Sequence, residues 1–302
     1  MSAPDPLALQ TPAALRLSAR QVVGLVICAA GCVAALAHAW QLIAPWPPLR
    51  LALGAGSVAA LATALGVLPM LLARAPSART HDALLGFGAG VMLAASCFSL
   101  IVPALAAAGA LGYGRWVCAL GVGTAVLLGA ALIMLLERVL PHEHFFGGAG
   151  TAGAQNLRRI WLFVLAIVLH NVPEGLAIGV AAAGTDAARA TALATGIAIQ
   201  DVPEGLVVAL ALHSVGMGRW RAAAVGALSG VVEPIAAVLG AAAIGFSAPL
   251  LPWGLGFAAG AMLLVVSHEV IPESHRQGHE RHATTGLLLG FVLMMVLDTA
   301  LG

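Results

Sequence analysis

Nine apolar runs in this 302-residue chain are long enough, or nearly so, to cross a hydrocarbon core about 30 Å thick. They cover approximately 21–43, 50–73, 82–108, 115–137, 159–183, 190–213, 220–245, 249–271 and 283–301. A backbone in lipid must satisfy its own hydrogen bonds, so runs of this length fold as helices. Hydrophobic residues make up 61% of the chain and charged residues 9%, against about 25% charged in a soluble domain. The sequence therefore reads as an all-α membrane protein with nine spans. A formal net charge of +1 gives no reason to expect nucleic acid as a partner.

The 14 basic residues are all arginine, and they set the orientation. With the N-terminus on one side, that side holds Arg16, Arg20, Arg74, Arg79, Arg138, Arg158, Arg159, Arg219, Arg221, Arg276 and Arg281. The other side holds Arg50, Arg115 and Arg189. The arginine-rich side is cytoplasmic, which puts the N-terminus inside and the C-terminus outside. Residues 1–20 read as a loose cytoplasmic lead and 21–43 as an extra helix, retained rather than cleaved as a signal peptide. Residues 50–302 then form an eight-span core, with a cytoplasmic loop at 138–158. The four cysteines lie in apolar runs without a Cys-x-x-Cys pair, so neither a disulfide framework nor a thiolate zinc site is indicated.

Two hexapeptides interrupt this apolar pattern: His170-Asn-Val-Pro-Glu-Gly175 and Gln200-Asp-Val-Pro-Glu-Gly205. Residues three and four apart share a helix face, which sets His170 and Asn171 beside Glu174, and Gln200 and Asp201 beside Glu204. A third span adds Glu233-Pro234. A carboxylate at the centre of a lipid-embedded helix costs about 2.5–3.5 kcal/mol on insertion scales. No arginine lies inside any span near Glu174, Asp201, Glu204 and Glu233 to compensate them. Two divalent cations would balance those four charges. Carboxylate, amide and imidazole donors suit zinc and related first-row metals better than magnesium, which keeps its waters. The expectation is a bridged two-metal site in the middle of the membrane. The prolines are expected to break the helical ladder, with Gly175 and Gly205 relaxing the backbone just beyond.

The chain also repeats itself. Gly86-Phe-Gly-Ala-Gly-Val-Met-Leu93 and Gly256-Phe-Ala-Ala-Gly-Ala-Met-Leu263 agree at six of eight positions, and the two Pro-Glu-Gly motifs repeat on neighbouring spans. By the arginine topology, both repeats pair spans that run in opposite directions. Inverted repeats with a mid-membrane site mark the architecture of a secondary transporter. Near the cytoplasmic face, Glu137, His142, His144, His268, Glu269, Glu273 and His279 form either a low-affinity exit path for the ion or ordinary solvated helix ends. Asp82 reads as a carboxylate at a helix start, where the dipole favours it. Asp298 is either at the outer mouth of the path or interfacial.

With these residues assembled, the sequence resembles the ZIP (Zrt/Irt-like protein) family of divalent metal transporters, bacterial members above all. The carriers of the resemblance are the two hexapeptides, Glu233-Pro234, Ser267-His268-Glu269 and the histidine-bearing loop at 142–144. The resemblance spans about residues 50–302 and implies an eight-helix bundle, with 21–43 as an additional helix. It implies one metal held by Met92, His170, Glu174, Gln200 and Glu204. A second would be held by Asn171, Glu174, Asp201, Glu204 and Glu233, with Glu174 and Glu204 bridging. Met92 enters only through the resemblance, since a methionine among small residues is most often packing. The family further implies a homodimer in the inner membrane, an elevator-like motion, and import of Zn²⁺, with Cd²⁺, Fe²⁺, Mn²⁺ or Co²⁺ also accepted. Gln200 stands where some members carry another ligand, which bears on metal preference.

Two other functions use similar residues. A metal-selective channel would need the same ligands. An intramembrane metalloenzyme would need two metals about 3.5–4 Å apart to activate water. Inverted repeats and histidines gathered toward one face suit a path rather than a pocket, and no His-Glu-x-x-His motif is present. The chain is therefore not expected to be an enzyme.

Overall fold

A computed structural model describes residues 37–72, 77–139, 170–184, 186–214, 216–247 and 249–301, with Gly24, Ile27, Ala30, Gly31 and Ala34. The side chains of Glu137, Val139 and Ser214 are outside that description. The lead at 1–20, most of the run 21–43, and His142 and His144 also fall outside it. Residues 37–43 are helical and belong to a separate unit ending at Pro45.

From Trp46 onward the described residues form helices and turns, with no strand among them. They are α1 (Pro47–Leu72), α2 (Ala78–Ala110), α3 (Arg115–Val139), α4 (170–182), α5 (Ala187–Ser214), α6 (Arg219–Gly245), α7 (Leu250–His275) and α8 (Glu280–Leu301). Among the described residues, seven helices are long and apolar enough to cross a membrane. The remaining helix, α4, is described from His170 on. The protein is an all-α, multi-pass membrane protein.

Local chemistry sets several boundaries. Ser77 caps α2, its hydroxyl accepting from the Thr80 N–H at 3.2 Å. Asp186 caps α5, one carboxylate oxygen accepting from the Ala188 and Arg189 N–H groups at 3.1 Å each. The Ser77 cap starts α2 a turn earlier than the hydropathy indicates. Asp82 consequently lies in the second turn, fully buried, and its carboxylate meets His279 Nδ1 of the α8 approach at 3.0 Å. The helix-start reading of Asp82 is replaced by a buried fastening between two helices.

The helices sort into two packed groups. In one, α1 lies against α5 and α6; in the other, α2 lies against α8, and α3 against α7. Small residues let both groups close, as expected where lipid gives no hydrophobic drive to association. The α2–α8 crossing is reciprocal: Gly86 and Gly90 face the carbonyls of Ala283 and Leu287, and Gly286 and Gly290 face those of Ala83 and Phe87. A methyl at any of the four would collide with backbone. The α3–α7 crossing repeats the device, with Gly129 against the Phe257 carbonyl and Gly260 against that of Val126.

The repeat read from Gly86–Leu93 and Gly256–Leu263 extends into the backbone. Just beyond each segment the helix widens into a π-helical stretch, Ala95–Ile101 in α2 and Val266–Val270 in α7. Each is followed by an X-Pro step that restarts the α-helix, Val102-Pro103 and Ile271-Pro272. π-Bulges of this kind occur frequently at functional sites. The first carries Ser99, whose hydroxyl donates to Asp298 Oδ1 of α8 at 2.7 Å. The second carries His268 and Glu269.

Candidate metal centre

The polar cluster is built on α1, α4, α5 and α6, with α4 meeting α6 where Gly175 and Gly179 face the backbone of Glu233 and Ala237. Pro203 lies inside α5, which runs through it without a break. Gly205 and Gly175 do not loosen the chain as expected. They remove side chains where helices touch: the open side of Gly205 faces the carbonyl of Thr63 on α1, and that of Gly175 the backbone of Glu233 on α6. The glycines of the two Pro-Glu-Gly motifs therefore serve contact, bringing carboxylates from three helices close together.

Glu174, Asp201 and Glu204 each offer a ligand atom, and those atoms lie within 4.8 Å of one another. Gln200 joins them, its Nε2 amide donating to Glu174 Oε1 at 2.7 Å and to Asp201 Oδ1 at 2.6 Å. Glu233 Oε1 accepts from Asn171 Nδ2 at 3.2 Å and from the Thr63 hydroxyl at 3.2 Å. Glu174, Asp201, Asn171, Gln200 and Glu233 are all at most 1% exposed. One oxygen on each of Glu174, Asp201, Glu233 and Asn171 has no hydrogen-bond partner among the described residues. Buried oxygens of this kind are costly unless something engages them. Among the described residues, arginines pair with Asp186 and Glu273 and with none of these carboxylates. A cluster of carboxylates with unengaged lone pairs and, among the described residues, no arginine beside it is a ready set of cation ligands.

Met92 is buried on α2, in the other group of helices. It stands one turn beyond Gly88, whose open side faces Gln200 Oε1. Residues four apart share a helix face, so Met92 is on the side of α2 that Gly88 turns toward Gln200. His170, at the start of the described part of α4, meets Glu269 of the second π-helical stretch, Nε2 to Oε2 at 2.7 Å. One residue expected in the core is thus joined to one expected on the exit path.

The other described exit-path residues have partners of their own or face outward. His268 is exposed beside Glu269. Glu273 pairs with Arg276 one turn on, at 3.2 Å, and His279 is engaged by Asp82. Sequence reasoning missed three participants: Thr63, Asp82 as a buried partner, and Ser99 against Asp298. Thr63 carries no charge and its span no motif. For Asp82, the signal was Ser77, a capping residue that starts the helix a turn before the carboxylate.

Comparison with known proteins settles the family. The family model described as "ZIP Zinc transporter" matches residues 147–298. The zinc transporter ZIPB of Bordetella bronchiseptica is 50% identical over 248 residues, which cover 82% of this chain and 80% of that protein. The chain belongs to the ZIP family. The zinc transporter GufA of Myxococcus xanthus is 46% identical across 83% of this chain and all of its own length. Human zinc transporter ZIP11 is 34% identical across 80% of this chain and 94% of its own. These ZIP relatives are named as transporters, not enzymes, so the metalloenzyme reading is set aside.

Proposed function

We propose that this ZIP protein imports divalent metal ions, Zn²⁺ foremost, into the cytoplasm through a binuclear site within the membrane. The observation that carries the reading is the meeting of Glu174, Asp201 and Glu204 ligand atoms within 4.8 Å of one another. One ion is held by Met92, His170, Glu174, Gln200 and Glu204. The other is held by Asn171, Glu174, Asp201, Glu204 and Glu233, with Glu174 and Glu204 bridging. Cd²⁺ is accepted as a surrogate, and Fe²⁺, Mn²⁺ or Co²⁺ as weaker cargo. The protein works as a homodimer in a bacterial inner membrane, N-terminus inside, with 21–43 as an extra helix before the eight-span core.

Alternating access of the elevator type supplies the motion. It is supported by the placement of the ligands: every oxygen ligand is on α4, α5 or α6, and α2 across from them turns Gly88 toward Gln200. The His170–Glu269 contact at 2.7 Å fits a hand-over from the core toward Glu269, His268 and the cytoplasmic exit.

The test is zinc uptake into sealed proteoliposomes, with binding to the purified protein measured in parallel. Wild type is expected to bind two ions and to show saturable uptake. Glu204→Ala, which removes a bridging ligand, is expected to lose at least one bound ion and uptake with it. Two ions bound by Glu204→Ala with unchanged affinity would overturn the bridged site. No uptake by the wild-type protein would overturn the transport reading.

A further inference from the structure

Thr63 lies on α1, a helix that contributes no carboxylate to the cluster. Its hydroxyl is nonetheless within hydrogen-bond reach of two acceptors, Glu233 Oε1 at 3.2 Å and the Ala59 carbonyl at 3.3 Å. A threonine hydroxyl has one proton to donate. That proton is shared between the carboxylate and the backbone, or moves from one to the other. Asn171 Nδ2 donates to the same oxygen of Glu233 at 3.2 Å. Both donors fall on Oε1, while Oε2 is buried without a hydrogen bond among the described residues.

The placement is enforced from two further sides. Thr63 is 1% exposed. The open side of Gly205 on α5 faces its carbonyl, and that of Gly230 on α6 faces its Cβ and Oγ1 at 3.0 Å. A side chain on Gly230 would push α1 away from α6, and a short hydroxyl would no longer span the gap to Glu233; one on Gly205 would shift α1 from the other side. Three helices are thus held at the separation at which Thr63 reaches the carboxylate.

We infer that Thr63 is a positioning residue of the metal site: it holds Glu233 Oε1 with Asn171 and so aims Oε2 at the ion. The inference rests on the binuclear reading. Groups that orient a ligand without touching the metal change affinity by about 10–100-fold when removed. The hydroxyl also gives Glu233 some freedom, since the Ala59 carbonyl can take the proton whenever the carboxylate turns.

The test is zinc and cadmium titration of the purified full-length protein against a competing chelator, comparing wild type with Thr63→Val and Thr63→Ser. Valine keeps the shape and removes the donor; serine keeps the donor and removes a methyl. Thr63→Val is expected to weaken one of two bound ions by about 10-fold or more and leave the other unchanged. Thr63→Ser is expected to bind both nearly as wild type does. Should the valine variant fail to fold, Thr63→Ala removes the same donor without adding bulk between the glycines. Two ions bound with wild-type affinity by the donor-less variants would overturn the role of Thr63 while leaving the binuclear site standing. Equal weakening by valine and serine would overturn it too, because packing and not the hydroxyl would then be responsible. A wild-type protein that binds fewer than two ions would remove the site itself.

Discussion

If contact glycines set the ligand geometry, adding one methyl at Gly205 should damage the site, and adding one at Gly129 should not. Both glycines face a backbone carbonyl across a helix crossing, Gly205 that of Thr63 and Gly129 that of Phe257. In each variant a new Cβ lands well inside contact distance, and the helices must part by on the order of 1 Å to restore normal carbon–oxygen spacing. Overpacking of this kind costs about 1–3 kcal/mol, so the two variants should melt at similarly lowered temperatures. Their effects on the ion should differ. At the α1–α5 crossing, a shift of that size moves Thr63 itself, whose 3.2 Å contact with Glu233 of α6 is already near the limit of hydrogen-bond reach. It also displaces Glu204, next to Gly205, where metal distances tolerate only about ±0.2 Å. Gly205→Ala should therefore lose zinc affinity by about 10-fold or more. At the α3–α7 crossing no oxygen ligand moves, and Gly129→Ala should bind zinc within about 2-fold of wild type. Thermal unfolding and zinc titration of both variants in detergent decide the matter. Equal loss of affinity in the two, or none in Gly205→Ala, would refute the link between crossing and site.

Gln200→His replaces an amide with an imidazole, a softer donor, and should shift competition uptake toward Zn²⁺ and Cd²⁺ over Mn²⁺ by about 10-fold; an unchanged order would remove Gln200 from the ligand set. Asp82→Asn keeps the shape of a buried fastening but weakens its bond to His279. It should lower stability by about 1–3 kcal/mol in thermal melts and leave zinc affinity alone, and a selective loss of zinc binding would assign Asp82 to the path instead.

Much of the fold was open to reading from the chain, because hydropathy acts over twenty residues at a time. The inverted repeat was legible in six matched positions around Gly86 and Gly256. Its continuation into paired π-helical stretches was not, since a wider helical turn has no hydropathy signal. The carboxylates of the cluster stood out because charge inside an apolar run is conspicuous. Their neighbours did not: Thr63 is one polar residue among alanines, and its partner Glu233 lies 170 positions away. The proline-glycine motifs invited the opposite error. Proline in a sequence reads as a break, yet α5 continues through Pro203, and Gly205 is small because Thr63 is close, not because the backbone bends.

Every oxygen ligand of the proposed centre comes from one group of helices, and the opposing wall presents Gly88 and the Met92 thioether. The electrical account of the cargo is therefore closed within a single body. Apart from the pull of the Met92 thioether, which ion is retained and how fast it passes become separable traits. Substitutions among Asn171, Glu174, Gln200, Asp201 and Glu233 would retune discrimination, whereas changes in the small residues of the facing wall would alter friction alone. Such a division lets a lineage adapt to a new metal supply without rebuilding the machinery that carries it.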